Sequence, residues 1–352
     1  MPCRAFPEGR TAIAPMHKNE EIQTSSNRAM HSVSQLIDRR KREKSLPGQR
    51  TDGRLLALAI EGGGMRGVVC GGMVAALEQL ELLNTFDVVY GSSAGAISGA
   101  YFVAGQARLG VTIFYQNIAN RQFINMYRFL LGRPILSLEF LLDRVCIFEK
   151  KLNTDAIIRS PVPLKILATS TSKLEIVVFD NFSDDRDLFD ALRCSARIPV
   201  IAGPPVQYRN DTFLDASILE SIPYRSAISA GATDIVVLMT RPAGSLRGNA
   251  DRIDKYFIAP QLRKYNPKLP HAYLDRANEY LSEVEAITAA SKGQGPTRIL
   301  PVQISATAVD VPSNCIDRNA LVEGAMAGFR AVYAALGLVE PTLAELITPL
   351  DP

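Results

Sequence analysis

The sequence predicts an α/β fold with a mostly parallel sheet, and three stretches carry that prediction. Leu55 to Ile60 is an unbroken apolar run that ends in glycines, and Phe86 to Tyr90 is a second short strand candidate that ends in a Gly-Ser-Ser turn. Between them Val68 to Leu83 carries apolar residues at helical spacing, leaving Glu78, Gln79 and Glu81 for water. The order is strand, glycine loop, helix, strand, serine turn, helix. That is a βαβ unit, and it sets both special loops at carboxyl ends of strands, where open α/β sheets bind ligands.

Residues 1 to about 50 read as a disordered basic tail, polar, mixed in charge and sparse in large apolar side chains. They hold no apolar run of the signal-peptide kind. Through Arg54 there are eleven Lys and Arg against six Asp and Glu, in a chain whose net charge is +3. The basicity therefore belongs to this segment, chiefly to Arg39-Arg40-Lys41-Arg42-Glu43-Lys44. A solvated linker is the plain interpretation, and contact with an anionic membrane surface the sharper one. No aromatic interleaving or motif supports nucleic-acid binding. One large domain follows over 51–340, with a short carboxyl-terminal tail at 341–352.

The glycine run Glu61-Gly62-Gly63-Gly64-Met65-Arg66-Gly67 follows the first strand. Gly62-x-Gly64-x-x-Gly67 fits the dinucleotide fingerprint literally. That fold also wants an acidic residue at the end of the second strand for the ribose, and here Asp87 lies at its start. No Gly-Lys-Ser/Thr follows, so the run is not a Walker loop. A nest of backbone amides that binds an oxyanion remains, each well-placed donor being worth about 3–4 kcal/mol in a transition state.

Gly91-Ser92-Ser93-Ala94-Gly95 has the form of a nucleophile elbow. A strand that turns sharply into a helix strains the central residue, and small neighbours remove the clashes. Only Ser93 has glycines at both −2 and +2. Its hydroxyl would stand at the amino end of the next helix, where amide donors and the helix dipole favour negative charge. The helix itself, Ala96 to Gly105, is small and apolar and suits a buried centre.

An insertion at about 111–150 is dense in aromatic and aliphatic residues. It suits a cap over the site and an acyl channel, or simple packing on the sheet. Arg128, Arg133, Glu139, Asp143 and Arg144 interrupt it, whereas a transmembrane helix needs about 20 apolar residues in a row. Leu164 to Thr169 and Leu174 to Phe179 read as strands, Asp187 to Ser195 as a helix, and Phe213-Leu214 as a strand leading to Asp215. Thr233 to Met239 is a buried strand, Leu274 to Ala290 a charged helix, Arg298 to Ile304 a last strand and Leu321 to Leu336 a last helix.

A serine nucleophile needs a base, and histidine is scarce. His17 and His31 lie in the amino-terminal segment, and His271 lies in a loop-like stretch that no strand closely precedes. The five cysteines (Cys3, Cys70, Cys146, Cys194, Cys315) are scattered and never in Cys-x-x-Cys spacing. This speaks against a disulfide framework and a zinc site, and for a reducing, cytoplasmic compartment. No cluster has metal-ligand spacing, so no metal and no cofactor is expected. Hydrophobic content of 47% with 21% charged residues is ordinary for a globular enzyme.

Gly-Gly-Gly-x-Arg-Gly followed by Gly-x-Ser-x-Gly resembles the patatin-like phospholipases. Cys194-Ser195-Ala196-Arg197-Ile198-Pro199 is similar to that family's small-residue segment ending in Ile-Pro. Thr240-Arg241-Pro242 and Lys264-Tyr265-Asn266-Pro267 resemble a bacterial branch of it. The resemblance implies a three-layer fold with helices flanking the sheet, and a Ser–Asp dyad without histidine. Ser93 is then the nucleophile, Asp215 the proton acceptor, and Gly62, Gly63, Gly64, Arg66 and Gly67 the oxyanion hole, with Gly91 and Gly95 shaping the elbow. The family's motif of Asp-Gly-Gly/Ala before Asn-x-Pro corresponds to Asp215-Ala216-Ser217 before Ser221-Ile222-Pro223. A positive φ after Asp215 would cost Ala216 about 1 kcal/mol or more.

The implied activity is hydrolysis of lipid acyl esters of the phospholipase or lysophospholipase kind, with peripheral membrane contact as an option. An aspartate at its ordinary pKa is a poor base, so burial is expected to raise it. Two other readings stay open. One is a catalytically weak lipid-binding member of the family, and the other is a dinucleotide-binding protein.

Overall fold

The structure is a computed structural model that describes residues 31–245 and 247–339. The tails expected over residues 1–30 and 341–352 fall outside the described residues, with His17 and Cys3.

Residues 31–50 correct the expectation of disorder. Helix α1 (Ser32–Arg42) is capped by His31, whose Nδ1 accepts from the Val33 amide at 3.2 Å. It buries Val33, Leu36 and Ile37 in the main core. Arg40, read as part of a solvated basic run, is 1% exposed. Its guanidinium meets Asp52 and Asp87 at 2.8 Å each and donates to the Thr85 and Arg54 carbonyls. The heptad-like spacing of three apolar residues among so many charges was too sparse a signal to read, but one buried stripe suffices for a docked helix.

The βαβ unit forms as expected. β1 (Leu56–Ile60) leads through the glycine loop to α2 (Val68–Gln79), and β2 (Val88–Ser92) leads through Ser93 to α3 (Ala94–Val103). The segment that follows carries α4 (Ala107–Thr112), α5 (Tyr127–Leu130) and two wide π-type stretches, Ile113–Asn117 and Phe140–Glu149. Then come α6 (Thr154–Ile158), β3 (Leu164–Ser170), β4 (Ile176–Phe179) and α7 (Asp185–Ser195). β5 (Val206–Tyr208), β6 (Asp211–Asp215), α8 (Tyr224–Ser229), β7 (Asp234–Leu238), α9 (Ala259–Leu262), α10 (Leu269–Ser291), β8 (Arg298–Val302) and α11 (Arg318–Leu336) complete the described chain.

The strands form one sheet in the order β5-β6-β3-β2-β1-β7-β8, with β4 also on β3. β1, β2, β3, β7 and β8 pair in parallel, and the pairings of β4, β5 and β6 are antiparallel. Alternation along β1 shows the three layers. Leu56, Leu58 and Ile60 face a core shared with α1, α2, α3, α7 and α11, whereas Ala57 and Ala59 face one shared with α8 and α10. Most of the apolar 111–150 segment packs into the first core. The run from Met126 to Leu131 does not.

Candidate active site

Ser93 occupies the turn from β2 into α3 with φ 53° and ψ −124°, angles that an L-residue adopts at a cost of about 1–3 kcal/mol. The glycines on either side explain how the chain gets there. A Cβ on Gly91 would stand 2.4 Å from Ala96 Cα, and one on Gly95 would stand 2.3 Å from the Ile60 carbonyl oxygen. The Ser93 N–H donates to Ser195 Oγ at 2.8 Å, which satisfies a buried amide and ties the elbow to the end of α7.

Asp215 arrives from the opposite direction. On one edge of β3, β2 runs until Ser92 lies beside Leu167, and on the same edge β6 runs antiparallel until Asp215 lies beside Ala168. β4 takes the other edge. The two strand ends therefore meet head to head, and the Ser93 hydroxyl donates to Asp215 Oδ2 at 2.6 Å. The other carboxylate oxygen accepts from the Ser217 N–H at 2.8 Å. Asp215 N–H donates to the Arg197 carbonyl at 2.9 Å, and Thr169 Oγ1 donates to the Asp215 carbonyl at 2.9 Å.

Ala216 and Ser217 belong to a 3₁₀ turn, and Ala216 is not among the residues with positive φ. The cost foreseen for a non-glycine there does not arise. Burial raises the Asp215 pKa above its ordinary value, while hydrogen bonds from Ser93 and Ser217 and the nearby charge of Arg247 oppose the shift. Arg247 itself is half-buried, and desolvation, helped by the charges of Arg276 and Arg241, brings its pKa down to about 10.

The glycine loop lies against the elbow. A Cβ on Gly62 would come within 2.8 Å of Ser93 Cβ, and one on Gly64 would come within 2.7 Å of the Ser313 carbonyl oxygen. Gly64 also has φ 58°. The N–H groups of Gly63 and Gly64 donate to no acceptor among the described residues, whereas that of Gly62 makes a long 3.4 Å contact with the Ser221 carbonyl. Two of the expected oxyanion donors are placed differently. The Arg66 N–H donates to the Gly63 carbonyl at 3.2 Å, and Gly67 does not line the cavity but packs where a Cβ would stand 2.7 Å from Ala94 Cβ. The loop tightens into a 3₁₀ turn over Gly64–Gly67, which turns these later amides inward.

Gly62, Gly63, Gly64, Arg66, Ser93 and Asp215 all line one cavity of about 530 Å³. A second, narrow hollow of about 40 Å³ opens beside Ser93 and is walled by Ile97, Phe114, Phe123, Leu138 and Leu141. Four of those five come from the 111–150 segment, so it contributes to the site as well as to the core; Leu141 sits in its second π-type stretch.

Sequence reasoning missed the supports. Glu61 is fully enclosed, accepts from the Thr240 N–H at 2.6 Å and has its pKa raised by burial, pinning the glycine loop to the end of β7. Ser195, Thr169 and Arg247 act across 102, 46 and 26 or more positions, beyond any local motif. His271 sits exposed in the first turn of α10, and Asp87 is engaged by Arg40 and Arg50 at the far end of β2. Cys70, Cys146, Cys194 and Cys315 are free and buried. Among the described residues no group of His, Cys, Asp and Glu is arranged to hold a metal ion.

Residues 58–228 match the family model described as patatin-like phospholipase. That stretch is similar to a patatin-like phospholipase domain. It runs from β1 to α8 and so includes the glycine loop, Ser93 and Asp215, while β7, β8, α10 and α11 lie beyond it. The family is one of lipid acyl hydrolases. The uncharacterized protein YjjU of Escherichia coli (strain K12) is 26% identical over 189 residues, 53% of this chain and 52% of that protein, so the match spans about half of that relative's length. Among solved structures, VipD from Legionella pneumophila overlaps 82% of this chain and 67% of its own, at 13% identity and a TM-score of 0.40. Human GIVD cytosolic phospholipase A2 in complex with methyl gamma-linolenyl fluorophosphonate overlaps 90% and 62%, at 12% identity and a TM-score of 0.46.

Proposed function

We propose that the protein is a serine acyl-ester hydrolase acting on lipids through a Ser93–Asp215 dyad. The observation that carries the reading is the 2.6 Å hydrogen bond from the Ser93 hydroxyl to Asp215 Oδ2, at a strained elbow that opens on the cavity. Ser93 Oγ attacks the ester carbonyl carbon while its proton passes to Asp215, whose raised pKa makes it a better acceptor. The unpaired Gly63 and Gly64 amides, with Gly62 beside them, are the donors for the tetrahedral oxyanion. Collapse breaks the ester C–O bond, Asp215 returns the proton to the departing alkoxide, and an acyl-enzyme remains. Water then gives its proton to Asp215 and attacks the acyl carbon, and Ser93 leaves reprotonated.

The narrow apolar hollow beside Ser93 suits an acyl chain, each buried methylene of which contributes about 0.8 kcal/mol. A fluorophosphonate probe tests the reading. Wild type is expected to be labelled and to turn over acyl esters, and Ser93→Ala to do neither. Lipid binding without labelling or turnover in wild type would transfer the protein to the catalytically weak alternative.

A further inference from the structure

The mouth of the cavity is flanked by two segments that expose apolar side chains. On one side the α5 region presents Met126, Tyr127, Phe129, Leu130 and Leu131, and on the other residues 253–257 present Ile253, Tyr256 and Phe257. Half of the large apolar side chains that the described residues leave exposed fall in these two short runs. Leu130, Leu131 and Tyr256 are 79%, 73% and 73% exposed, where burial would be the rule for such residues in a packed segment. Met126 and Phe129 line the cavity together with Ile253 and Phe257, so both runs border the same opening. A neighbouring hollow of about 400 Å³ joins Phe129 and Arg133 to Gln261 and Lys264, which continues the adjacency outside the cavity.

The charges around these runs are mostly of one sign. Residues 121–133 hold Arg121, Arg128 and Arg133 and no carboxylate. Residues 251–268 hold five basic residues against Asp251 and Asp254, and Asp254 is already engaged by Arg276 at 2.9 Å and by the Tyr273 hydroxyl at 2.8 Å. Arg121, Arg133, Arg252, Lys255, Arg263 and Lys264 are exposed. An excess of six positive charges across the two stretches, in a chain of net +3, makes this rim more basic than the molecule around it. The amino-terminal basic run is different in kind, because its central Arg40 is buried among carboxylates.

We propose that the cavity mouth, and not the amino-terminal basic segment, docks on an anionic lipid surface. Leu130, Leu131 and Tyr256 enter the headgroup layer while the surrounding arginines and lysines meet the anionic headgroups. Such a surface offers apolar depth and negative charge side by side over both runs. No helix among the described residues is long and apolar enough to cross a membrane, so the contact lies on the surface. That the docked opening then receives substrate rests on the hydrolase reading above; the docking itself does not.

Co-sedimentation of the full chain with vesicles tests it. Wild type is expected to bind vesicles of phosphatidylcholine mixed with phosphatidylglycerol more tightly than phosphatidylcholine alone, and to weaken as salt rises. The triple variant Leu130→Ser, Leu131→Ser, Tyr256→Ser is expected to lose about tenfold or more in vesicle affinity. It should keep the wild-type melting temperature and the wild-type hydrolysis of a water-soluble short-chain ester. The variant Lys41→Gln, Arg42→Gln, Lys44→Gln is expected to bind vesicles as wild type does. Vesicle binding that survives the first variant and is lost in the second overturns the proposal. So does wild type that ignores both vesicles, or a triple variant that changes from dimer to monomer, which would make the face a contact between copies. Because sedimentation needs no turnover, a protein that binds vesicles yet resists fluorophosphonate leaves the docking standing and removes the hydrolase reading alone.

Discussion

On the serine side of the site the backbone is strained and crowded, whereas on the aspartate side it is relaxed and merely well supported. Ser93 holds φ 53° because Gly91 and Gly95 let Ala96 and the Ile60 carbonyl come within distances that no Cβ would tolerate. Asp215 holds φ −50° and ψ 134°, ordinary for the end of a strand, and the residue after it needs no special angle. Its position comes from lying beside Ala168, one step along β3 from the place where Leu167 meets Ser92. Strain has to be enforced by residues a few positions away, so it leaves a motif. Placement by strand register is enforced by a remote partner, so it leaves none.

The largest expected effects lie on the proposed reacting atoms. Ser93→Gly removes the nucleophile and is expected to cut kcat/KM by about 10⁴-fold or more. It also relieves the positive φ, so its thermal unfolding should fall above that of Ser93→Ala by an amount equivalent to about 1–2 kcal/mol. Equal melting temperatures for these two variants would show that the serine side is not strained. Asp215→Asn is expected to lower kcat/KM by about 10²–10⁴-fold.

The same substitution probes burial. Below the ordinary aspartate pKa both folded and unfolded chains are protonated there, and the carboxyl costs nothing extra. Above the raised folded value both are ionised, and the full cost of a buried charge stands. Asp215→Asn should therefore melt higher than wild type at neutral pH, and the advantage should vanish in acid. For wild type, kcat/KM should fall as pH drops through an acid limb set above the usual carboxylate range.

Smaller effects sharpen the contrast. Gly95→Ala sets a Cβ against the Ile60 backbone and is expected to cost about 3 kcal/mol with loss of fluorophosphonate labelling. Arg247→Gln removes a charge that helps keep Asp215 ionised, so the acid limb should move to higher pH. Smallest of all is Ala216→Gly, which restores a glycine of the kind the family carries. With no positive φ to relieve, it should change stability by about 1 kcal/mol or less, downward, and leave kcat/KM alone. A gain in kcat/KM would mean that the aspartate side is strained after all.

The elements with strong periodicity were legible in the sequence: the βαβ unit, the buried strand at Thr233 to Met239 and the last helix all stand within a few residues of where the pattern puts them. α1 and β5 were not. Three apolar residues among charges, and a strand three residues long, give too little pattern to separate from a loop. The Arg66 and Gly67 amides were assigned to the oxyanion hole from the motif, and only the 3₁₀ turn showed that Arg66 spends its donor on Gly63 while Gly67 packs against Ala94.

The sequence by itself determined the strand–loop–helix order and the elbow around Ser93, because those depend on residues that are neighbours in the chain. Tertiary structure decided that β6 ends against β2, that Ser195 and Thr169 brace the two sides, and that two separate apolar runs meet at one opening. Those depend on which backbone edges pair and which faces pack, and pairing between strands more than 40 residues apart is settled by the free energy of the whole sheet rather than by any stretch of it.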